Sequence, residues 1–165
     1  MRAGPAGYGE QVRRSVYLVA GAALLTSCAA PVTVPAAPHA ADPRCADIVL
    51  ALPDVLDGMT RLDTTSQATT AWGERGAAVV LRCGVEPPPP TTDPCTVVDD
   101  GRVSVDWVTT TTTGPDGETW TFTTYGREPA VEVQVPPAVT AVRSGSFLVD
   151  LGSAVSRVEP TRTCL

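Results

Sequence analysis

The side chains able to do chemistry are few and of restricted kinds. The chain holds no Lys and one His, His39, which sits in an Ala/Pro-rich stretch. A folded domain without either lacks the commonest general base, the Ser-His-Asp arrangement, Schiff-base lysines and His-ligated metals. No P-loop, G-x-G-x-x-G or H-E-x-x-H run occurs. Carboxylates are plentiful, and two facing each other across a cleft would make a glycosidase-like pair. Asp99, Asp100 and Asp116, however, adjoin Gly101 and Gly117, where Asp serves the backbone of a turn. The run from Asp99 to Asp106 lacks calcium-loop spacing. No catalytic residue, metal site or cofactor is expected, and the chain reads as a non-enzyme.

The five cysteines carry more information. Cys45, Cys83, Cys95 and Cys164 contain no Cys-x-x-Cys pair, so zinc is disfavoured and two disulfides are expected. Three connectivities are possible. The favoured pairing is Cys83–Cys95, closing the proline-rich loop between them, which leaves Cys45–Cys164 to tie the ends of the domain together.

The fifth, Cys28, closes Leu25-Thr26-Ser27-Cys28 after the apolar run Val16–Leu25 and the basic pair Arg13-Arg14. This is the three-zone pattern of an export signal. The final four residues resemble the lipobox of bacterial lipoproteins, in which the cysteine takes a diacylglyceryl group and becomes the mature N-terminus. Ten apolar residues at about 1.5 Å each are too short for a hydrocarbon core of about 30 Å. Two or more acyl chains give a stable anchor. Residues 1–27 are thus expected as a lipoprotein signal peptide, with the domain held by lipid on Cys28 at the outer face of the cytoplasmic membrane. The lipidated cysteine also accounts for the odd total. Paired arginines before the apolar run also occur in twin-arginine signals.

Three residues suggest a binding surface. Arg127 and Glu128, bracketed by Gly126 and Pro129, stand at a strand end, where a guanidinium could hold a carboxylate or phosphate. Trp72, beside Gly73, could offer an aromatic platform. A surface role predicts an exposed, partly apolar patch around Trp72 and Arg127. The competing readings are a turn with a local salt bridge and a core tryptophan. Arg82 reads as the partner of an acid, and Thr109–Thr113 as a polar strand.

The net charge is −6. Residues 1–27 carry three arginines and one glutamate, so their loss leaves −8. An acidic chain without basic clusters is unsuited to nucleic acid or to electrostatic docking on anionic lipid. The abundance of Ala, Val, Thr, Pro and Gly with a single Ile suits a high-GC genome such as an actinobacterial one.

The elements that must position these residues follow from periodicity. Residues 28–43, with four prolines, read as an extended tether that could lift the domain about 45 Å above the lipid. Residues 44–165 suit one domain. Asp42 as N-cap and Pro43 at the first position open a helix over Cys45–Leu52. Asp54–Met59 reads as a second helical turn, and Thr60–Thr70 as a polar connection. Ala77–Val85 is a near-continuous apolar run suited to a buried strand. Turn signals at Asp99-Asp100-Gly101 and Asp116-Gly117 separate three further strands. Val131, Val133 and Val135 alternate with polar residues in another. Phe147, Leu151, Ala154, Val155 and Val158 recur at helical spacing. The expected fold class is α+β: an antiparallel β-sheet covered by an N-terminal and a C-terminal helix, with two disulfides.

Leu52-Pro53, Trp72-Gly73, Val80–Val85, Asp106-Trp107 and Phe122–Pro129 followed by Val131-Glu132-Val133 occur in an order that resembles an actinobacterial family of exported proteins, domain-of-unknown-function family 3515. The resemblance spans about Cys45 to Val158. It departs at Glu74-Arg75-Gly76, where a Pro-rich loop is expected. It implies export or lipid anchoring and brings no assigned catalytic residues. The expectation is a lipid-anchored binding module of the cell envelope whose partner is another envelope protein or a cell-wall component. The alternative is a carboxylate-based hydrolase acting on envelope glycans.

Overall fold

The structure, a computed structural model, describes residues 29–164 together with Met1. The leader and Cys28 lie outside the described residues, as does Leu165. Eight strands form one antiparallel sheet: β1 (Val55–Leu56), β2 (Met59–Leu62), β3 (Thr69–Trp72), β4 (Val79–Val85), β5 (Cys95–Asp99), β6 (Ser104–Gly114), β7 (Gly117–Thr124) and β8 (Ala130–Val135). Their order across the sheet is β1-β2-β3-β4-β8-β7-β6-β5.

Local chemistry explains the hairpins. At the β5–β6 turn, Asp99 Oδ1 accepts from the Gly101 amide at 2.6 Å, and Asp100 Oδ1 from the Arg102 and Val103 amides, each at 2.8 Å. β6 and β7 pair from Trp107↔Thr124 to Gly114↔Gly117. The register places Trp107, Phe122, Val133, Leu81 and Trp72 on one face of the sheet, and Thr110, Thr121, Gln134 and Val80 on the other. Arg82 lies on the second face, and its Nη2 and Nε both donate to Glu132 Oε1, at 2.6 and 3.1 Å.

The first face carries the main core. It packs against α1 (Pro43–Ala51), which buries Cys45 and Ile48, and against a C-terminal segment that buries Phe147, Leu148, Leu151, Ala154 and Val155. α1 begins where capping chemistry dictates: the Asp42 side chain accepts from the Arg44 amide at 2.9 Å, with proline in the first turn. It ends before Pro53, where the Arg61 guanidinium donates to the carbonyls of Val49 and Leu52. Together these segments cover the sheet only loosely.

Several expectations are corrected. The C-terminal helix over 147–158 is instead a 3-10 segment, Gly145–Leu151, followed by one α-turn, α3 (Gly152–Val155). A short helical piece, α2 (Pro137–Thr140), follows β8. Asp54–Met59 is not helical. Asp57 (φ 47°) and Gly58 (φ 79°) form the two-residue turn that joins β1 to β2. Asp-Gly with both φ positive is the mirror-image turn that matches strand twist. The polar connection read over 60–70 contributes β2 and the start of β3.

The disulfides are Cys45–Cys83 and Cys95–Cys164, not Cys83–Cys95 and Cys45–Cys164. Sheet order explains why. Between β4, which holds Cys83, and β5, which holds Cys95, stand β8, β7 and β6. Four strand spacings of about 4.8 Å separate the two by about 19 Å, far beyond disulfide reach. Cys83 faces the core, where α1 brings Cys45 to a Cα–Cα distance of 5.5 Å.

The proposed tether is also corrected. From Val32 onward the arm is docked on the domain. The Val32 amide donates to the Asp63 carbonyl at 2.8 Å, and the Thr65 amide to the Val32 carbonyl at 3.0 Å. Val34, Ala37 and Ala40 are buried, and Ala37 and Ala40 pack against Val85 and Ala130 in a second, smaller core. Among the described residues, no helix is long and apolar enough to cross a membrane.

Candidate functional site

The expected surface around Trp72 and Arg127 does not exist. Trp72 is fully buried on β3, and its indole Nε1 donates to the Pro53 carbonyl at 2.9 Å. The side chain therefore anchors the entry to β1 against the sheet. Arg127 is 4% exposed. Its Nη2 donates to the Ser104 carbonyl at 3.0 Å and its Nη1 to the Val158 carbonyl, while Nε has no hydrogen-bond partner among the described residues. Burial pushes its pKa down from the ordinary value, opposed by the negative charges of Glu159 and Asp106. A guanidinium committed to backbone carbonyls on two segments stitches the β8 approach to the C-terminal region. Neither residue can meet a partner in this state, and the binding role expected of them is withdrawn.

Glu128 is exposed. It lines a groove of about 340 Å³ with Pro129, His39, Asp42 and Glu86. Three acids and the single histidine thus converge, although they are far apart in sequence. The fold positions each by backbone chemistry. The β4 bulge at Gly84, with φ 90°, turns the chain so that its carbonyl accepts from the His39 amide at 2.9 Å. His39 Nε2 then lies 2.8 Å from Glu86 Oε1. Asp42, already the helix cap, also accepts from the Arg44 side chain, Nη2 to Oδ2 at 2.6 Å. Those bonds hold its carboxyl below its usual pKa. Glu128 keeps a longer-range attraction to Arg44.

His39 therefore belongs to the folded domain, contrary to the expectation that the domain would contain none. The signal that could have found it is the pair Val34 and Ala37, small apolar residues inside a proline-rich stretch. At the groove itself, one backbone bond, from the His39 amide to the Gly84 carbonyl, joins the arm to β4. A Cβ at Gly84 would overlap the His39–Ala40 backbone. Gly84→Ala is expected to cost about 1–3 kcal/mol through its positive φ. It should also loosen the arm around His39 and Ala40, which limited proteolysis between residues 36 and 42 would show. An arm still protected in that variant would contradict the account.

Three other grooves are formed by the described residues. One of about 420 Å³ runs between Met59, Gly73 and Glu74 on one side and Val139, Val142 and Arg143 on the other. At its rim Arg143 Nη1 meets Asp57 Oδ2 at 2.5 Å. Another, of about 370 Å³, lies along α1 beside Val49 and the exposed Leu50. A third, of about 300 Å³, is lined by Tyr125, Asp93 and both cysteines of the Cys95–Cys164 bridge. Among the described residues no cluster of His, Cys, Asp and Glu is arranged to hold a metal ion.

Residues 12–164 match the model of a family described as protein of unknown function (DUF3515). No curated protein and no solved structure matches the chain.

Proposed function

The chain belongs to the DUF3515 family, and we propose that it is a lipid-anchored, non-enzymatic interaction module of the cell envelope, bound to the outer face of the cytoplasmic membrane through Cys28. Its partner is another envelope protein or a cell-wall component. The observation that carries this reading is the pair of disulfides. One joins α1 to the central strand β4, and the other ties the C-terminal segment to the edge strand β5. Such a framework forms and persists in an oxidising, extracytoplasmic compartment. It stands behind a leader whose last three residues, with Cys28, resemble a lipobox.

Anchoring is testable directly. The full chain, expressed in an exporting bacterium and fed a labelled fatty acid, is expected to take up label and sediment with membranes. Cys28→Ala should lose the label and appear in the soluble fraction. Equal membrane association of both forms, without label, would remove the lipid from the proposal.

A second reading, a carboxylate-based hydrolase of envelope glycans, is favoured by one observation: Asp42, Glu86 and Glu128 share a groove. Two of the three are already engaged, Asp42 with Arg44 and Glu86 with His39. That leaves Glu128 as the acid best placed to act. Release of reducing ends from cell-wall glycan, abolished by Glu128→Gln, would favour the hydrolase over the binding module.

A further inference from the structure

The two disulfides differ sharply in surroundings. Cys45 and Cys83 are both fully buried in the main core. Cys95 is exposed and Cys164 half-buried, and both open onto the groove that Tyr125 and Asp93 help to line. We propose that the Cys95–Cys164 bridge is a thiol–disulfide exchange site, open to an external dithiol, and that its cleavage frees the segment that follows Val158.

The segment itself supports this. Among the described residues Val158 is the last buried one, and residues 159–163 are all exposed. Apart from the bridge, few contacts among the described residues hold it. The Thr161 amide and hydroxyl donate to the Gly126 carbonyl at 2.7 and 2.9 Å, the Cys164 amide donates to Asp106 Oδ2 at 2.6 Å, and Arg162 stacks over Tyr125 at 5.8 Å. The close seat requires Gly126, where φ is 70° and a Cβ would overlap the Arg162 backbone. Net hydrogen bonds of about 1 kcal/mol each hold an exposed segment weakly once its covalent tie is gone. The bridge thus fastens a segment with no buried side chain among its described residues.

The chemistry balances with the dithiol as reductant. Its thiolate attacks Sγ of the exposed Cys95, the Sγ–Sγ bond breaks, and Cys164 leaves as a thiolate that takes a proton. The second thiol of the reagent then attacks the mixed disulfide, releasing Cys95. The reagent leaves as its cyclic disulfide, oxidised by the two electrons that the bridge gains.

The oxidised full chain, treated with limiting dithiothreitol, quenched with acid, alkylated and mapped by mass spectrometry, tests the site. Cys95 and Cys164 are expected to be alkylated at least tenfold faster than Cys45 and Cys83. Hydrogen exchange at the Thr161 and Cys164 amides should accelerate in the selectively opened protein, with α1 and β4 unchanged. Opening of both bridges together, or of Cys45–Cys83 first, would overturn the proposal, and so would a C-terminal segment that stays protected after cleavage. The double variant Cys95→Ser with Cys164→Ser provides a second check. It should show the same fast exchange at Thr161 while keeping the Cys45–Cys83 bridge. Protection equal to that of the oxidised chain would refute the fastening role.

Discussion

Trp72→Ala is expected to lower folding stability by about 3–5 kcal/mol, the range for removing a large buried aromatic. Three losses combine. The indole leaves the main core, which it shares with Leu56, Met59 and Val79. The Pro53 carbonyl loses its 2.9 Å donor. The short β1–β2 hairpin loses the side chain that holds its entry. The midpoint of urea unfolding should fall with an unchanged slope, because the amount of surface exposed on unfolding stays similar. Trp72→Phe should recover much of the packing and leave the carbonyl unpaired, so an intermediate loss is expected. A cost under about 1 kcal/mol would be incompatible with a core tryptophan and would return Trp72 to the surface role first considered for it.

The second large effect concerns the bridge inside the core. Replacing Cys45 and Cys83 together by Ala is expected to cost about 4–5 kcal/mol. The bridge spans a sequence separation of 38 residues, and loop-closure entropy for that length gives about 4 kcal/mol. The loss of two buried sulfurs adds a packing defect. The helix α1 and the arm that precedes it should loosen first, because Cys45 ties α1 covalently to β4. Hydrogen exchange would report faster opening of residues 43–51 than of β6 and β7. A destabilisation below about 1 kcal/mol, or loosening spread evenly over the sheet, would show that the bridge is redundant with the packing of Ile48 and Leu52.

The distinction between what periodicity could and could not reveal is physical. The hairpins β5–β6 and β6–β7 were legible because Asp99-Asp100-Gly101 and Asp116-Gly117 specify their turns within a few residues. β8 was legible because Val131, Val133 and Val135 alternate, and the cap of α1 because Asp42 and Pro43 are adjacent. The β1–β2 turn carries the same Asp-Gly signal at Asp57-Gly58. It was obscured because Pro53 and Asp54 also suit a helix start. The disulfide pairing depends on sheet order, which places β8, β7 and β6 between Cys83 and Cys95. No local pattern encodes that order.

The candidate site fared worse for the same reason. Arg127 sits in a polar, turn-like sequence that predicts exposure. It is buried because carbonyls from Ser104 and Val158, 23 and 31 residues away, converge on it. The groove around Glu128 likewise needs the arm to fold back and deliver His39. Ala/Pro composition reads as linker unless the fit of small side chains against Gly84 and Val85 is known.

If Cys28 carries the proposed lipid, the docked arm shortens the reach of the domain. A free stretch of fifteen residues would let it sample a wide shell above the bilayer. With docking from Val32, only residues 29–31 separate the domain from Cys28, a span of about 10 Å. In the lipid-anchored reading, the sheet then travels with the headgroups as a two-dimensional diffuser. Its encounters would be with molecules at the bilayer surface or with wall material that comes down to it, and partners farther out would be beyond its reach.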